Sequence, residues 1–366
     1  MGMAKILIFF VLCFNVISGL FAKELIIHGV RVPEKLSEWR IITNKNGEIV
    51  PLNGSFAFEL INPLFSDYAI KFRTLWLPEG SSITYKPDGP LDFPKGSLLS
   101  KTFSYPYDNI SFPSQRKPVN TQNRFKNFHI ETRVLVKTQK TWIGLPYVWD
   151  LEQKDAKLST IGKKIKMNLV LGGEVQSFDY FVPNMNQCRS CHVSYQNYKK
   201  IVQPIGPKAR NLNRSSSFHS GVNQLEKLAD SGYLEGLPAR ELRPKMKAWN
   251  DPDASLEVRA RSYLDLNCGH CHQAKGPAAS TGLFLSLDVS RRSQLGICKN
   301  PVATGNGGAN MVYDIEPGHA EKSLLFYRLK SRDPAVMMPE LGRALVHQEG
   351  VALIRDWINS LQDTCS

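Results

Sequence analysis

Beyond its first two dozen residues the 366-residue chain has no long apolar run, and for its length it has few acidic side chains and few cysteines. The missing apolar runs exclude a body that is saturated with membrane spans. A composition of 42% hydrophobic, 10% aromatic and 22% charged residues equally excludes a disordered chain. Asp and Glu number 33 against 46 Lys and Arg, a formal charge of +13. That imbalance favours acidic partners or an anionic surface such as a membrane face. No nucleic-acid recognition motif accompanies it. No internal repeat is present apart from two short cysteine motifs. The length permits two domains without requiring them.

The one apolar run is N-terminal. Lys5 precedes residues 6–21, small Ala22 ends the run, and the charged pair Lys23-Glu24 follows. This is the layout of a secretory signal peptide over residues 1–22, cleaved near Ala22; an uncleaved anchor is the alternative. Bulky Leu12 before Cys13 argues against a lipoprotein signal. The mature chain is therefore expected to be periplasmic or secreted. Of seven cysteines, Cys13 would leave with the signal. Four of the remaining six form two tight pairs, and Cys298 and Cys365 are left to join as a disulfide in an oxidising compartment. Two free buried thiols are the alternative.

Two parts are expected. Residues 23–253 read as β-rich, an antiparallel sandwich or partial barrel. Ile130, Thr132, Val134 and Val136 alternate along one strand, and residues 166–171 and 176–182 are β-prone runs separated by Gly172-Gly173. Trp76, Trp142, Tyr147 and Trp149 supply bulk for a sheet core. A helical stretch falls at residues 222–231. From residue 254 to 366 the pattern is helical. Leu256, Ala260, Tyr263 and Leu264 mark one helix face that runs into Cys268, a short helix spans residues 321–329, and Val351, Ile354, Trp357, Ile358 and Leu361 form a terminal stripe. The fold class is thus α+β, with the turn-forming run Asn250-Asp251-Pro252-Asp253 as linker.

Cys188-Arg189-Ser190-Cys191-His192 and Cys268-Gly269-His270-Cys271-His272 are both C-x-x-C-H. Two thiols one helical turn apart can each add to one of the two vinyl groups of a haem, and the following imidazole then meets the iron. One such pentapeptide is expected by chance about 0.003 times in a chain of this composition. A zinc site built from both C-x-x-C pairs is the strongest competitor, but it does not account for the histidine placed identically after each. A thioredoxin-like dithiol would need a βαβ context that is missing. The expected cofactor is therefore two covalently bound haem c groups, on Cys188 and Cys191 with His192, and on Cys268 and Cys271 with His272. For the second iron Met338, pinned by Pro339, is the expected sixth ligand, with Met337 in reserve. The carbonyl of Pro277 is expected to fix the His272 ring through Nδ1. His270 reads as a surface residue.

Residues 264–361, with Cys268-x-x-Cys271-His272, Gly276-Pro277, Met338-Pro339 and the Trp357-Ile358 helix, resemble a class I cytochrome c domain. More widely the chain resembles an uncharacterised family of exported dihaem c-type cytochromes. The residues that carry this are Val182-Pro183-Asn184, Gln187 through His192, Val148-Trp149-Asp150, and residues 204–213 (Pro-Ile-Gly-Pro-Lys-Ala-Arg-Asn-Leu-Asn). The first resemblance implies a helical wrap around one haem with His and Met axial ligands. The second names a family and no activity.

No Met-Pro pair follows Cys188, so the sixth position of the first iron is open to His219, Met246 or His129; Met185 is too close in sequence to reach the far face. Electron transfer between a redox partner protein, acidic in character, and a respiratory chain is the leading functional expectation. A peroxidase-like dihaem enzyme, with His129 and Glu131 as acid–base groups, is the second. A haem-bearing binding module that docks to a dehydrogenase is the third.

Overall fold

The computed structural model describes residues 25–117, 125–302 and 304–365; the segment expected to be a signal peptide, with Cys13, lies outside them. β-branched and aromatic runs pair into an antiparallel six-stranded sheet. Its strand order is Ala156–Leu158, Trp142–Trp149, Asn127–Lys137, Leu98–Pro106, Ile70–Trp76 and Phe56–Ala57. Alternation along Asn127–Lys137 puts Val134 and Val136 on the face where Leu98, Ile143, Leu145, Tyr147 and Trp149 meet Val32, Leu36 and Ile41. A register shift between His129 and Glu131 bends that strand. A smaller sheet of Glu174–Val182, Lys163–Leu171 and Ile110–Ser111 packs beside it. Met167, Leu169, Phe178 and Tyr180 there share a core with Phe103, Tyr105, Phe128 and Ile130. Gly172 and Gly173, both at positive φ, turn its hairpin.

Helices α1 (Met185–His192), α2 (Ala209–Leu212) and α3 (Gln224–Asp230) follow the sheets. From Leu256 onward the described residues hold α4 (Leu256–Asn267), α5 (Leu324–Lys330), α6 (Gln348–Ser360) and short 3₁₀ turns, with no strand. The chain is thus mixed α and β, strand-rich first and helical after. Trp357, Ile358 and Ile354 of α6 bury against Tyr263 and Leu264 of α4 and Phe326 of α5. α4 and α6 approach closely where Gly350 meets the Tyr263 ring: a Cβ at residue 350 would lie 2.3 Å from the phenol oxygen. Cys298 and Cys365 are disulfide-bonded, with Cα atoms 5.2 Å apart.

The helical part is docked firmly on the strand-rich part. Buried Asp265 of α4 accepts from Arg210 at 2.6 Å and stands 3.6 Å from Lys208. The Asp67 carboxylate accepts from the backbone N–H groups of Ala344 and Leu345 at 2.7 and 2.6 Å. Leu345 itself inserts into the core between the two sheets.

Candidate cofactor cavities

Asn184 caps α1. Its side chain accepts from Gln187 N at 2.8 Å, and Gln187 Oε1 accepts from Asn184 N at 2.9 Å. The helix started there places Cys188 and Cys191 one turn apart and ends on His192. A hairpin of Val193–Gln196 and Lys199–Val202 then doubles back, so that Gln203 meets the histidine it left. His192 Nδ1 donates to the Gln203 carbonyl at 2.8 Å. A carbonyl only accepts, so Nδ1 carries the proton and Nε2 keeps its lone pair. Burial lowers the His192 pKa to about 3, which keeps the ring neutral. On the other side Gly144 faces Cys188, where a Cβ would lie 2.8 Å from the cysteine's own Cβ.

Cys188, Cys191 and His192 open onto a cavity of about 570 Å³. Its floor is the sheet face opposite the aliphatic core. There Arg73, Lys101 and Arg133 stand directly across from one another on three neighbouring strands and all three line the cavity. Like charges in such a row repel. Glu131 takes Arg133, with contacts of 2.8 and 2.6 Å, and also accepts from Tyr180 at 2.7 Å. Arg73 and Lys101 reach no carboxylate within salt-bridge distance among the described residues. Desolvation, with Arg133 and Arg73 beside it, brings Lys101 down to about 7.

The second motif begins where α4 ends, with Cys268 as its C-cap and His272 N donating to Cys268 O at 2.9 Å. Gly276 lets the following loop fold back: a Cβ there would be 2.1 Å from the Cys271 carbonyl. Cys268, Cys271, His272, Met338 and Arg328 line a second cavity of about 430 Å³. Both volumes fall in the range of small-molecule and cofactor sites. Cys191, Glu340 and Leu341 line both cavities, so the two adjoin. Tyr195 N also donates to Lys275 O at 2.8 Å, tying the segments that follow the two motifs.

None of the four motif cysteines is disulfide-bonded. Burial raises the pKa of each, Cys268 and Cys271 to about 12. Redox dithiols are activated by the opposite shift. Among the described residues no three His, Cys, Asp or Glu side chains converge as a metal-holding group.

One segment closes both cavities. Arg343, 6% exposed, donates to the carbonyls of Met338 at 2.8 Å, Ser331 at 3.0 Å and Leu329 at 3.2 Å. It thereby fastens the methionine pair to the C-terminal end of α5, whose carbonyls lack helical partners.

Several expected roles are corrected by the geometry. His219 does not face the first cavity: its Nε2 bonds the Ala57 carbonyl at 2.7 Å, its ring stacks on Phe56 at 4.0 Å, and it lines a separate cleft. His129 is held in the sheet interior by Ser104 at 2.7 Å. Met246 is buried beside Arg210, and Met185 packs against the Val32 core; neither lines the first cavity. Met337, held in reserve for the second iron, lines the first cavity instead. Pro277 lines the second cavity, but among the described residues the buried His272 Nδ1 has no hydrogen-bond partner. His270 is half-buried at the second cavity rather than on the surface. Sequence reading missed the Arg73–Lys101–Arg133 row and the Gln203 carbonyl, both of which depend on strand pairing. The only sequence sign of the row was charge at alternate positions of apolar strands.

No protein-family model, no curated protein and no solved structure matches this chain.

Proposed function

We propose that the chain is an exported dihaem c-type cytochrome, periplasmic or secreted, that passes electrons between an acidic redox partner protein and a respiratory chain. The observation that carries this reading is that each C-x-x-C-H motif opens onto its own cavity and that the two cavities adjoin at Cys191. The residues fit the group. Cys188 with Cys191, and Cys268 with Cys271, would hold it covalently, and neutral His192 offers a free Nε2. Arg73 and Lys101, which reach no carboxylate within salt-bridge distance among the described residues, would offer counter-charge to its carboxylates. The buried, unpartnered Nε of Arg328 does the same in the second cavity. Haem would supply the one-electron chemistry.

The chain's own part is to orient and enclose. Gln203 fixes the His192 tautomer, Gly144 lets the sheet close on Cys188, and Arg343 holds the methionine segment over both cavities. For residues 254–366 we read a class I cytochrome c-like domain. The close crossing of α4 and α6 at Gly350 and Tyr263 and the Met338 lining support it. The Cys298–Cys365 bridge suits an oxidising compartment. Among the described residues no helix is long and apolar enough to cross a membrane.

The peroxidase-like alternative loses its acid–base groups. His129 is committed to the sheet interior, and Glu131 is already engaged by Arg133 and Tyr180. Intact mass spectrometry of the exported protein tests the proposal: the mature chain should carry two porphyrin additions and show a Soret band. A colourless protein, or an apoprotein mass, would end it. If both haems are present, rapid mixing with a chemical reductant and then an oxidant should cycle both irons without turnover of peroxide.

A further inference from the structure

Met337 and Met338 are adjacent in sequence, yet they serve different spaces. Met338 lines the cavity of the second motif, and Met337 lines the cavity of the first. Met337 is 9% exposed, so this cavity-lining side chain is buried. The backbone that places the pair is fixed on both sides. Met337 N donates to Asp333 O at 2.8 Å, Met338 N to Arg328 O at 3.0 Å, and the Met338 carbonyl accepts from Arg343. The other sulfur and imidazole groups considered for the first iron are committed elsewhere: His219 to Ala57, His129 to Ser104, Met246 and Met185 to other packing. Among the described residues, Met337 is the only thioether, thiol or imidazole in the lining of the first cavity besides the motif's own Cys188, Cys191 and His192.

We infer that Met337 is the sixth ligand of the first haem iron, so that one dipeptide supplies the distal ligand to each of two haems. This rests on the dihaem reading and adds the distal ligand that the reading leaves open. A thioether opposite a neutral imidazole makes a low-spin, six-coordinate iron that favours the ferrous state. Both irons would then be of the electron-transfer type, with no vacant position for an exogenous substrate. Three lysines share this lining; Lys163 and Lys164 are exposed and Lys164 pairs with Asp179, which makes the half-buried Lys101 amine the rival donor.

The test uses the full-length exported holoprotein. Haem content is measured first by intact mass, which separates failure of the dihaem reading from failure of this one. With two haems present, the reduced wild type should give two sets of ring-shifted methionine methyl resonances by NMR, and the oxidised form two thioether-to-iron charge-transfer contributions. Met337→Leu preserves volume and apolarity without offering a ligand. It should lose one set, lower the potential of one haem only and let carbon monoxide bind at that haem. Met338→Leu should lose the other set. Met337→His should restore a six-coordinate low-spin iron at a lower potential. A single methionine set in the wild type, or two sets that survive Met337→Leu, would overturn the assignment. Carbon monoxide binding at the first haem that begins only with Lys101→Ala would do the same and pass the role to the amine.

Discussion

Replacing Asp67 with asparagine should stabilise the protein near neutral pH and flatten its pH dependence below that. Asp67 is 4% exposed and its backbone lies at φ 46°, where asparagine is at least as well tolerated. Burial raises its carboxyl pKa from 3.8 to about 6, against the pull of the Leu345 and Ala344 N–H groups and of Arg343 and Lys71. A raised acid pKa means the folded chain retains a proton that the unfolded chain has released. Its contribution to stability is therefore complete below pH 3.8 and is lost as pH rises through about 6. The difference of roughly two units corresponds to a cost of about 3 kcal/mol for the buried charge at pH 7.5, falling to about 1 kcal/mol at pH 4.5. Asparagine keeps the oxygen that accepts from Ala344 and Leu345 and carries no charge. Its extra N–H₂ group must find a partner, offsetting about 1 kcal/mol. The expected net gain is about 1–2 kcal/mol at pH 7.5, and the variant's advantage should shrink by about 2 kcal/mol by pH 4.5. Urea titrations of the haem-loaded protein, followed by far-ultraviolet circular dichroism at pH 4.5, 6.0 and 7.5, measure this directly. An Asp67→Asn variant that is less stable than wild type at pH 7.5, with the deficit closing toward pH 4.5, would refute the reasoning. It would show that attraction to Arg343 outweighs the desolvation of the carboxylate.

Three further outcomes follow from individual contacts. Gly144→Val places branched carbon against Cys188, where even a Cβ would be 2.8 Å away; the exported protein should carry one haem instead of two, on the second motif, as read by peptide mass mapping. Arg343→Met strips the hydrogen bonds from the carbonyls of Met338, Leu329 and Ser331. It should cost about 2–4 kcal/mol in urea unfolding and weaken the methionine signals of both irons. Reducing the Cys298–Cys365 bond, or replacing both residues with serine, frees a loop with a sequence separation of 67. It should cost about 4 kcal/mol by the chain-entropy relation, seen as a fall in unfolding midpoint with the haem spectrum of the folded protein unchanged.

What the sequence made legible was whatever a short window determines. The alternation at Thr132, Val134 and Val136 and the stripe at Ile354, Trp357 and Ile358 are set by strand and helix periods and fall where the pattern put them, whereas the register shift after His129 carries Ile130 into the other core. The two motifs needed no long-range information either, since a single turn of helix spaces their thiols. The first cavity was illegible for the opposite reason. Its walls come from Leu60, Arg73, Lys101, Arg133, Gly206 and Met337, segments brought together only by strand pairing and docking. His219 looked free because residue chemistry says nothing about direction, and its ring turned out to be stacked on Phe56. The run at residues 204–213 stood out without an assignable purpose. Lys208 and Arg210 hold Asp265 three residues before Cys268, while Gly206 and Pro207 wall the first cavity.

The segment from Met337 to Leu345 is where these strands of reasoning meet. Glu340 and Leu341 border both cavities, Arg343 anchors the segment to α5, and Asp67 and the Leu345 side chain anchor it to the sheets. A segment held at both ends by separate cores cannot move at one cavity and stay still at the other. On the dihaem reading, the two irons are therefore coupled mechanically as well as by proximity. A change that loosens the segment should shift both potentials together, whereas a change at Leu60, which walls the first cavity and not the second, should shift only the first. Electrostatic interaction between neighbouring irons would instead make the second potential respond to the charge of the first under every perturbation. Comparing Arg343 and Leu60 variants thus separates coupling through the shared segment from coupling through space.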